Sequence, residues 1–345
     1  MLSTIAFFAA TATLSLYSGP APEKTATYGD WITGCDNERN CAAVALAPVV
    51  GAGEADHLEV GIEQPLGYQL DPVVTITPPV GHSAAGGAAL HIDGAAFALP
   101  PAKAGRLIVK GPSARALVQA LRSGSRAAMH DTGGKDIARA SLAGLTAALL
   151  RIDSQQGKVG TPRALVRPGT RRPYDDLPGF SVTLTRPARS QRPPTAPDAR
   201  KLAELRAGQT CPIDPNASDP TPQAVRLDTD NSMLIMPWRC GDGAYNHFSD
   251  IMIVNGFGEM APARFDFDNG VTGDGPGNLL VNAGWLDSER VLESHILHRA
   301  IGDCGRVDRY IWDGKQFRLA EQRVMPECRS SMALIPVWKV DLAER

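Results

Sequence analysis

Apolar residues recur along this chain with two different periods. In residues 58–63, Leu58, Val60 and Ile62 share one face while Glu59 and Glu63 take the other, the period of two that a half-buried strand requires. Residues 73–77 repeat the strand signal, and 91–97 carry Asp93-Gly94, the pair that favours a two-residue hairpin turn. The period then lengthens. Ala114, Leu117, Val118 and Leu121 recur at helical spacing, with Ser113 as the expected cap and Gly124 just beyond. Leu142, Leu145, Leu149 and Ile152 form a second helical stripe, with Ser141 as its expected cap and Gly157 as its left-handed stop. Residues 126–130 between the helices have room for a strand, and 164–166 for a last one before the pattern changes.

From 168 to 200 no apolar period is sustained, and proline and arginine dominate, as in Arg171-Arg172-Pro173 and Arg192-Pro193-Pro194. That composition predicts a partly extended linker. A short helix is expected at 198–207, with Leu202 and Leu205 on one face. Beyond it the strand period returns in short runs at 233–238, 250–254, 263–267, 279–282, 292–297 and 309–312, bounded by Gly, Asp or Asn. Asn269-Gly270 and Asp313-Gly314 are the expected hairpin turns.

The stretch from Tyr28 to Ala42 adds cysteine chemistry to this pattern. Tyr28 and Trp31 lead into Cys35, and five polar residues separate it from Cys41, so a tight turn closed by a disulfide is expected. As a metal site, two thiolates here would lack companion ligands. The six cysteines form an even set, and sequence proximity pairs Cys35 with Cys41, Cys211 with Cys240, and Cys304 with Cys328. Disulfides persist in oxidising compartments. An apolar run of about a dozen residues from Ile5 to Leu16, followed by Ser18-Gly19-Pro20, has the form of a secretory leader and is too short to span a bilayer. Export to the periplasm or outside the cell is therefore expected, with residues 1–24 as the signal peptide and no membrane span after its removal.

The 345 residues suit two domains of about 150 residues each. With 35 basic and 37 acidic residues, no net field recommends nucleic acid as a partner. The serine-hydrolase elbow, the zinc-protease helix motif, the phosphate-binding loop and the dinucleotide fingerprint are all missing. Asp266, Asp268 and Asn269 fail calcium-loop spacing, because Gly270 stands where a fifth ligand belongs. His295 and His298, on one strand, would point to opposite faces, and both read as structural or surface residues. No catalytic, cofactor-binding or metal-ligating residue is assigned. The candidate binding loop is 240–246, where Cys240 and glycines present Tyr245 and Asn246.

Several motifs in order also carry a resemblance. Asp30-Trp31 with Cys35-Asp36-Asn37 and Cys41 opens the series, followed by the segment from Ser141 through Leu149 with Ile152-Asp153 and Gln156-Gly157. Cys240 with Gly243-Ala244-Tyr245-Asn246, Gly302-Asp303-Cys304-Gly305, Trp312-Asp313-Gly314 with Phe317, and Glu327-Cys328-Arg329 complete it. Over residues 25 to 340 the chain resembles the bacterial domain-of-unknown-function family numbered 1176. Its N-terminal segment is also similar to the invasion-associated locus B proteins, which are exported β-rich domains. The resemblance implies an exported protein without catalytic residues to carry over.

These readings predict an α+β protein, mainly antiparallel β, with two β-rich domains, 25–167 and 201–345, joined by the linker 168–200. The first domain holds two packed helices. The expected role is a binding or envelope-structural module acting on a protein, glycan or lipid partner. A carboxylate-dependent envelope hydrolase and an enzyme inhibitor are the alternatives.

Overall fold

The computed structural model describes residues 21–49, 56–79, 89–131, 133–172, 179–208, 220–242, 245–268, 270–271 and 277–344. The first half begins with strands β1 (Ala26–Tyr28), β2 (Trp31–Cys35), β3 (Cys41–Ala45), β4 (Glu59–Gln64) and β5 (Val73–Thr77). Then come β6 (Ala89–Ile92), β7 (Ala95–Phe97), β8 (Leu107–Val109), α1 (Gly111–Ser123), β9 (Arg126–His130), β10 (Asp136–Ser141) and α2 (Leu145–Gln155). Two antiparallel sheets result, in the orders β1-β2-β3-β4-β5-β8 and β10-β9-β6-β7. Both helices bury their apolar stripes in the same core as Trp31, Val60, Ile62 and Leu90.

The period-two segments fold as the sequence predicts. Val60 and Ile62 of β4 are buried while Glu63 is exposed, and the β6–β7 turn has both Asp93 and Gly94 at positive φ. The helix caps differ from expectation. Helix α1 starts at Gly111 with Pro112 in its first turn, so Ser113 lies inside the helix; the fixed φ of proline presets that turn. Ser141 ends β10, and Gly144, at φ +97°, occupies the cap of α2. A Cβ on Gly144 would lie 1.7 Å from the Tyr28 carbonyl oxygen, so close packing against the first turn selects glycine over a capping hydroxyl. Residues 164–166 form no strand. The Leu165 and Val166 N–H groups instead donate to the buried Asp153 carboxylate, both at 2.9 Å.

The segment 179–200 lies along both halves. Phe180 N–H donates to Asn37 O, and β11 (Thr183–Arg186) runs parallel to the last strand of the chain. Helix α3 (Ala199–Ala207) is capped by Asp198, and Leu202 and Leu205 pack on a small core formed by two later strands. The remaining strands are β12 (Gln223–Arg226), β13 (Asn231–Asp242), β14 (Asn246–Asn255), β15 (Met260–Pro262), β16 (Leu279–Val281) and β17 (Gly284–Leu286). They are followed by β18 (Val291–Leu297), β19 (Gly305–Trp312), β20 (Phe317–Met325), β21 (Ile335–Lys339) and β22 (Asp341–Glu344). They make the antiparallel sheets β12-β13-β14-β15, with β16 on β14, and β17-β18-β19-β20-β21. The fold is α+β and mainly antiparallel β.

Residues 263–267 depart from the expected strand. Phe265 makes a single bridge to Phe317, with backbone bonds from Phe317 N–H to Arg264 O at 2.8 Å and from Asp266 N–H to Phe317 O at 3.2 Å, and the Asp266 carboxylate extends the contact by accepting from Leu319 N–H at 2.8 Å. Asn269 of the expected hairpin turn lies outside the described residues. At Asp313-Gly314 the turn forms as predicted, with Asp313 Oδ1 accepting from Lys315 N–H and Gln316 N–H.

The hairpin β2–β3 is what the two halves share. Trp31, Ala43 and Ala45 point into the first core, whereas Ile32, Ala42, Val44 and Leu46 pack against Met325, Ile335 and Val337 of the second half. A strand covered on both faces cannot alternate in polarity, which is why Trp31–Cys35 is buried throughout. Cys35 and Cys41 close the end of this hairpin as the expected disulfide.

Candidate functional site

Where the two halves meet, one end is sealed by a hydrogen-bonded loop beside a cavity of about 270 Å³, and the other opens into a cleft. The seal is built by the chain after Cys328. Arg329 donates through Nε to Ala47 O at 2.7 Å, through one terminal nitrogen to Gly29 O at 3.0 Å, and through the other to the Asp30 carboxylate at 2.5 Å. Glu59 Oε2 accepts from Met332 N–H at 2.6 Å and Ala333 N–H at 3.0 Å, joining β4 to the same loop. The Cys304–Cys328 disulfide, with its half-cystines 24 residues apart, ties that loop back to the start of β19.

The cleft has a volume of about 520 Å³. Its walls are formed by residues of β3 and β4 in the first half and of β20 and β21 in the second, and Ala42, Ala320, Val340 and Leu342 give it an apolar floor. Charge is gathered above that floor because β19 and β20 place alternate polar residues on one face. Arg309 is the hub. Its Nε donates to Glu293 at 2.8 Å, and a terminal nitrogen lies 3.4 Å from Glu289 and 3.5 Å from Glu321. Burial opposes the Arg309 charge, but the Glu293 hydrogen bond and the three glutamates outweigh it and raise its pKa above the ordinary value. Glu321 also pairs with Arg323.

Two lining charges stand apart from this network. Glu63, on the exposed face of β4, and the ammonium of Lys339, at the end of β21, have no partner among the described residues. By contrast Asp36 is spent on structure, with its carboxylate accepting from Asn40 N–H at 2.9 Å inside the first turn. Among the described residues the lining contains no serine or histidine, and its one cysteine, Cys41, is in a disulfide. An uncommitted anion and cation over an apolar floor can hold a ligand carrying both signs of charge.

The loop singled out from the sequence lies elsewhere. Asn246 acts as a backbone substitute: its Nδ2 donates to Leu297 O at 2.9 Å and its Oδ1 accepts from Leu297 N–H at 3.1 Å. Asn282, held at φ +47°, donates to Tyr245 O, Asn246 Oδ1 and His295 O. These two asparagines lace β14 to β18, and Tyr245 is half-buried beside them. Cys211 and the side chain of Cys240, the third expected disulfide, lie outside the described residues. Burial lowers the pKa of His295, which remains on its strand. His298 lies one residue past the end of β18, so the parity of strand faces does not apply to it. Among the described residues no helix is long and apolar enough to cross a membrane.

Sequence alone did not bring the cleft together. Glu63 and Lys339 are far apart in the chain, and neither belongs to a local motif. The available signal was the period-two pattern around Glu63, which marks its face as exposed without saying what faces it.

A curated relative, the uncharacterized protein YpfG of Escherichia coli (strain K12), is 28% identical over 344 residues, covering 93% of each chain. A crystal structure of invasion associated protein b from Bartonella henselae aligns with 39% of this chain and 99% of its own at 17% identity and a TM-score of 0.30. From residue 25 to residue 342, across both halves and the cleft between them, the chain matches and belongs to the DUF1176 family, described as proteins of unknown function.

Proposed function

We propose that this protein is an exported, disulfide-stapled binding module of the cell envelope, holding its ligand in the cleft between its two halves. The observation that carries the reading is the pairing of unpartnered Glu63 and Lys339 over an apolar floor in a cleft of about 520 Å³. Exposed and unpaired, Glu63 and Lys339 are free to take opposite charges from a ligand seated on the apolar floor between them. A peptide segment suits this lining better than a glycan, because it brings both charge signs and apolar side chains. Two disulfides within the described residues support an oxidising compartment, as the leader-like N-terminus does.

The hydrolase alternative needs one carboxyl group able to hold a proton beside one that is ionised. The three glutamates around Arg309 all share that one cation as their ion-pair partner. That arrangement supports binding ahead of acid–base catalysis.

A photo-crosslinking residue in place of Leu342, an exposed member of the cleft floor, tests this in growing cells. A discrete adduct is expected, recovered with the periplasmic fraction. Absence of any adduct there, or recovery of the chain in the cytoplasm, would sink the proposal.

A further inference from the structure

The Cys304–Cys328 disulfide has a histidine beside it. Among the described residues one group of side chains has metal-ligand character, His298 with Cys304 and Cys328, whose ligand atoms all lie within 4.8 Å of one another. His298 is exposed, and its ring has no partner among the described residues. We propose that the reduced form of this pair is a binding site for a thiophilic cation of the Zn²⁺ or Cu⁺ class, with two thiolates and the His298 imidazole as ligands.

Three features keep the ligands together once the sulfur–sulfur bond is opened. His298 N–H donates to Cys304 O at 3.1 Å, fixing the histidine to the turn that carries the first thiol. Asp303 receives the Arg299 guanidinium and also Ser330 N–H at 2.7 Å, so the loops bearing Cys304 and Cys328 remain joined without the disulfide. Arg329, next to Cys328, is anchored on the first half by its own hydrogen bonds. The ligands are therefore preorganised by bonds that reduction does not touch.

The distances are compatible with coordination. Metal–sulfur and metal–nitrogen bonds of about 2.3 and 2.0 Å put neighbouring ligand atoms of a tetrahedral site about 3.6 Å apart. The sulfurs need to separate and the imidazole to close by roughly an ångström or two, which side-chain rotation supplies. A protein dithiol can act as the reductant: it delivers two electrons and two protons to the disulfide and becomes a disulfide itself. Cation binding then releases those two protons from the thiols to solvent. Cu⁺ is satisfied by these three ligands, and Zn²⁺ takes water as a fourth. The cation would then hold the loop where the disulfide held it.

The test uses the full chain, reduced with a phosphine that is then removed under anaerobic conditions. Zn²⁺ in one arm and Cu⁺ in the other are titrated in competition with a chromogenic chelator. In at least one arm the reduced protein should bind one equivalent more than the Cys304→Ser/Cys328→Ser variant, and the oxidised protein should lack that equivalent. His298→Ala should weaken binding tenfold or more while leaving the melting temperature of the oxidised protein unchanged. Equal metal uptake by the reduced chain and His298→Ala, or no extra equivalent in either arm, would overturn the proposal.

Discussion

The sealed end and the open end of the contact between the halves use the same kinds of residue to opposite effect. At the sealed end the charges tie the halves together: Arg329 holds Asp30 and two carbonyl groups, and Glu59 holds two backbone N–H groups. At the open end the ions around Arg309 satisfy one another, and Glu63 and Lys339 are left over. The two ends are flanked by different staples, with Cys304–Cys328 tied to the sealing loop and Cys41 on the wall of the cleft. Stability should therefore reside at the first end and recognition at the second.

The largest test of that division is the disulfide at the seal. Closing a loop with a sequence separation of 24 stabilises by about 3.5 kcal/mol on the chain-entropy estimate, against about 2.4 kcal/mol for the separation of 6 in Cys35–Cys41. Thermal or denaturant unfolding should rank the two cysteine-pair deletions in that order. The reverse order would break the comparison. Arg329→Ala should cost about 3 kcal/mol, because it strips three hydrogen bonds and leaves Asp30 with an uncompensated, largely buried charge. Glu59→Ala should cost about 1 kcal/mol, by removing two charge-assisted hydrogen bonds from N–H groups that are not fully buried. Urea midpoints with unchanged slopes would confirm both as stability losses.

A pH scan sharpens the same contrast. His57, close to Glu59, Arg329 and Asp30, is held below its ordinary value of 6.5 mainly by burial, which outweighs its hydrogen bond to Ala45 O and the nearby carboxylates. Above 6.5 it is neutral in both folded and unfolded chains and contributes no pH dependence. As pH falls below 6.5 the unfolded chain takes up a proton that the folded chain resists, so stability falls until the folded site protonates as well. His57→Gln should flatten this part of the stability profile. An unchanged slope in that variant would place the acid sensitivity elsewhere.

What the sequence made legible followed from local rules. Strands such as β4 and β5, the Asp93-Gly94 and Asp313-Gly314 turns, and the stripe of α2 depend on residues close together in the chain, and each was readable. The failures share a cause in tertiary contact. Ser141 gave up the α2 cap because Gly144 must meet the Tyr28 carbonyl, and residues 263–267 meet the start of β20 at a single bridge, with the Asp266 side chain bonding beyond it. Strand β2 shows no alternation because a second core covers its other face. The cleft was illegible for the same reason, since Glu63 meets β20 and β21 only after both halves have folded. His298 was discounted by strand parity one residue beyond the point where the strand ends.

The smallest expected effect on stability is also the most direct test of the account. Glu63→Gln and Lys339→Ala together should move the unfolding free energy by less than about 0.5 kcal/mol, as exposed and unpaired charges do. Carried in the chain with the photo-crosslinker at position 342, the same two substitutions should abolish the adduct. An adduct that persists undiminished in this well-folded variant would contradict the assignment of recognition to the open end.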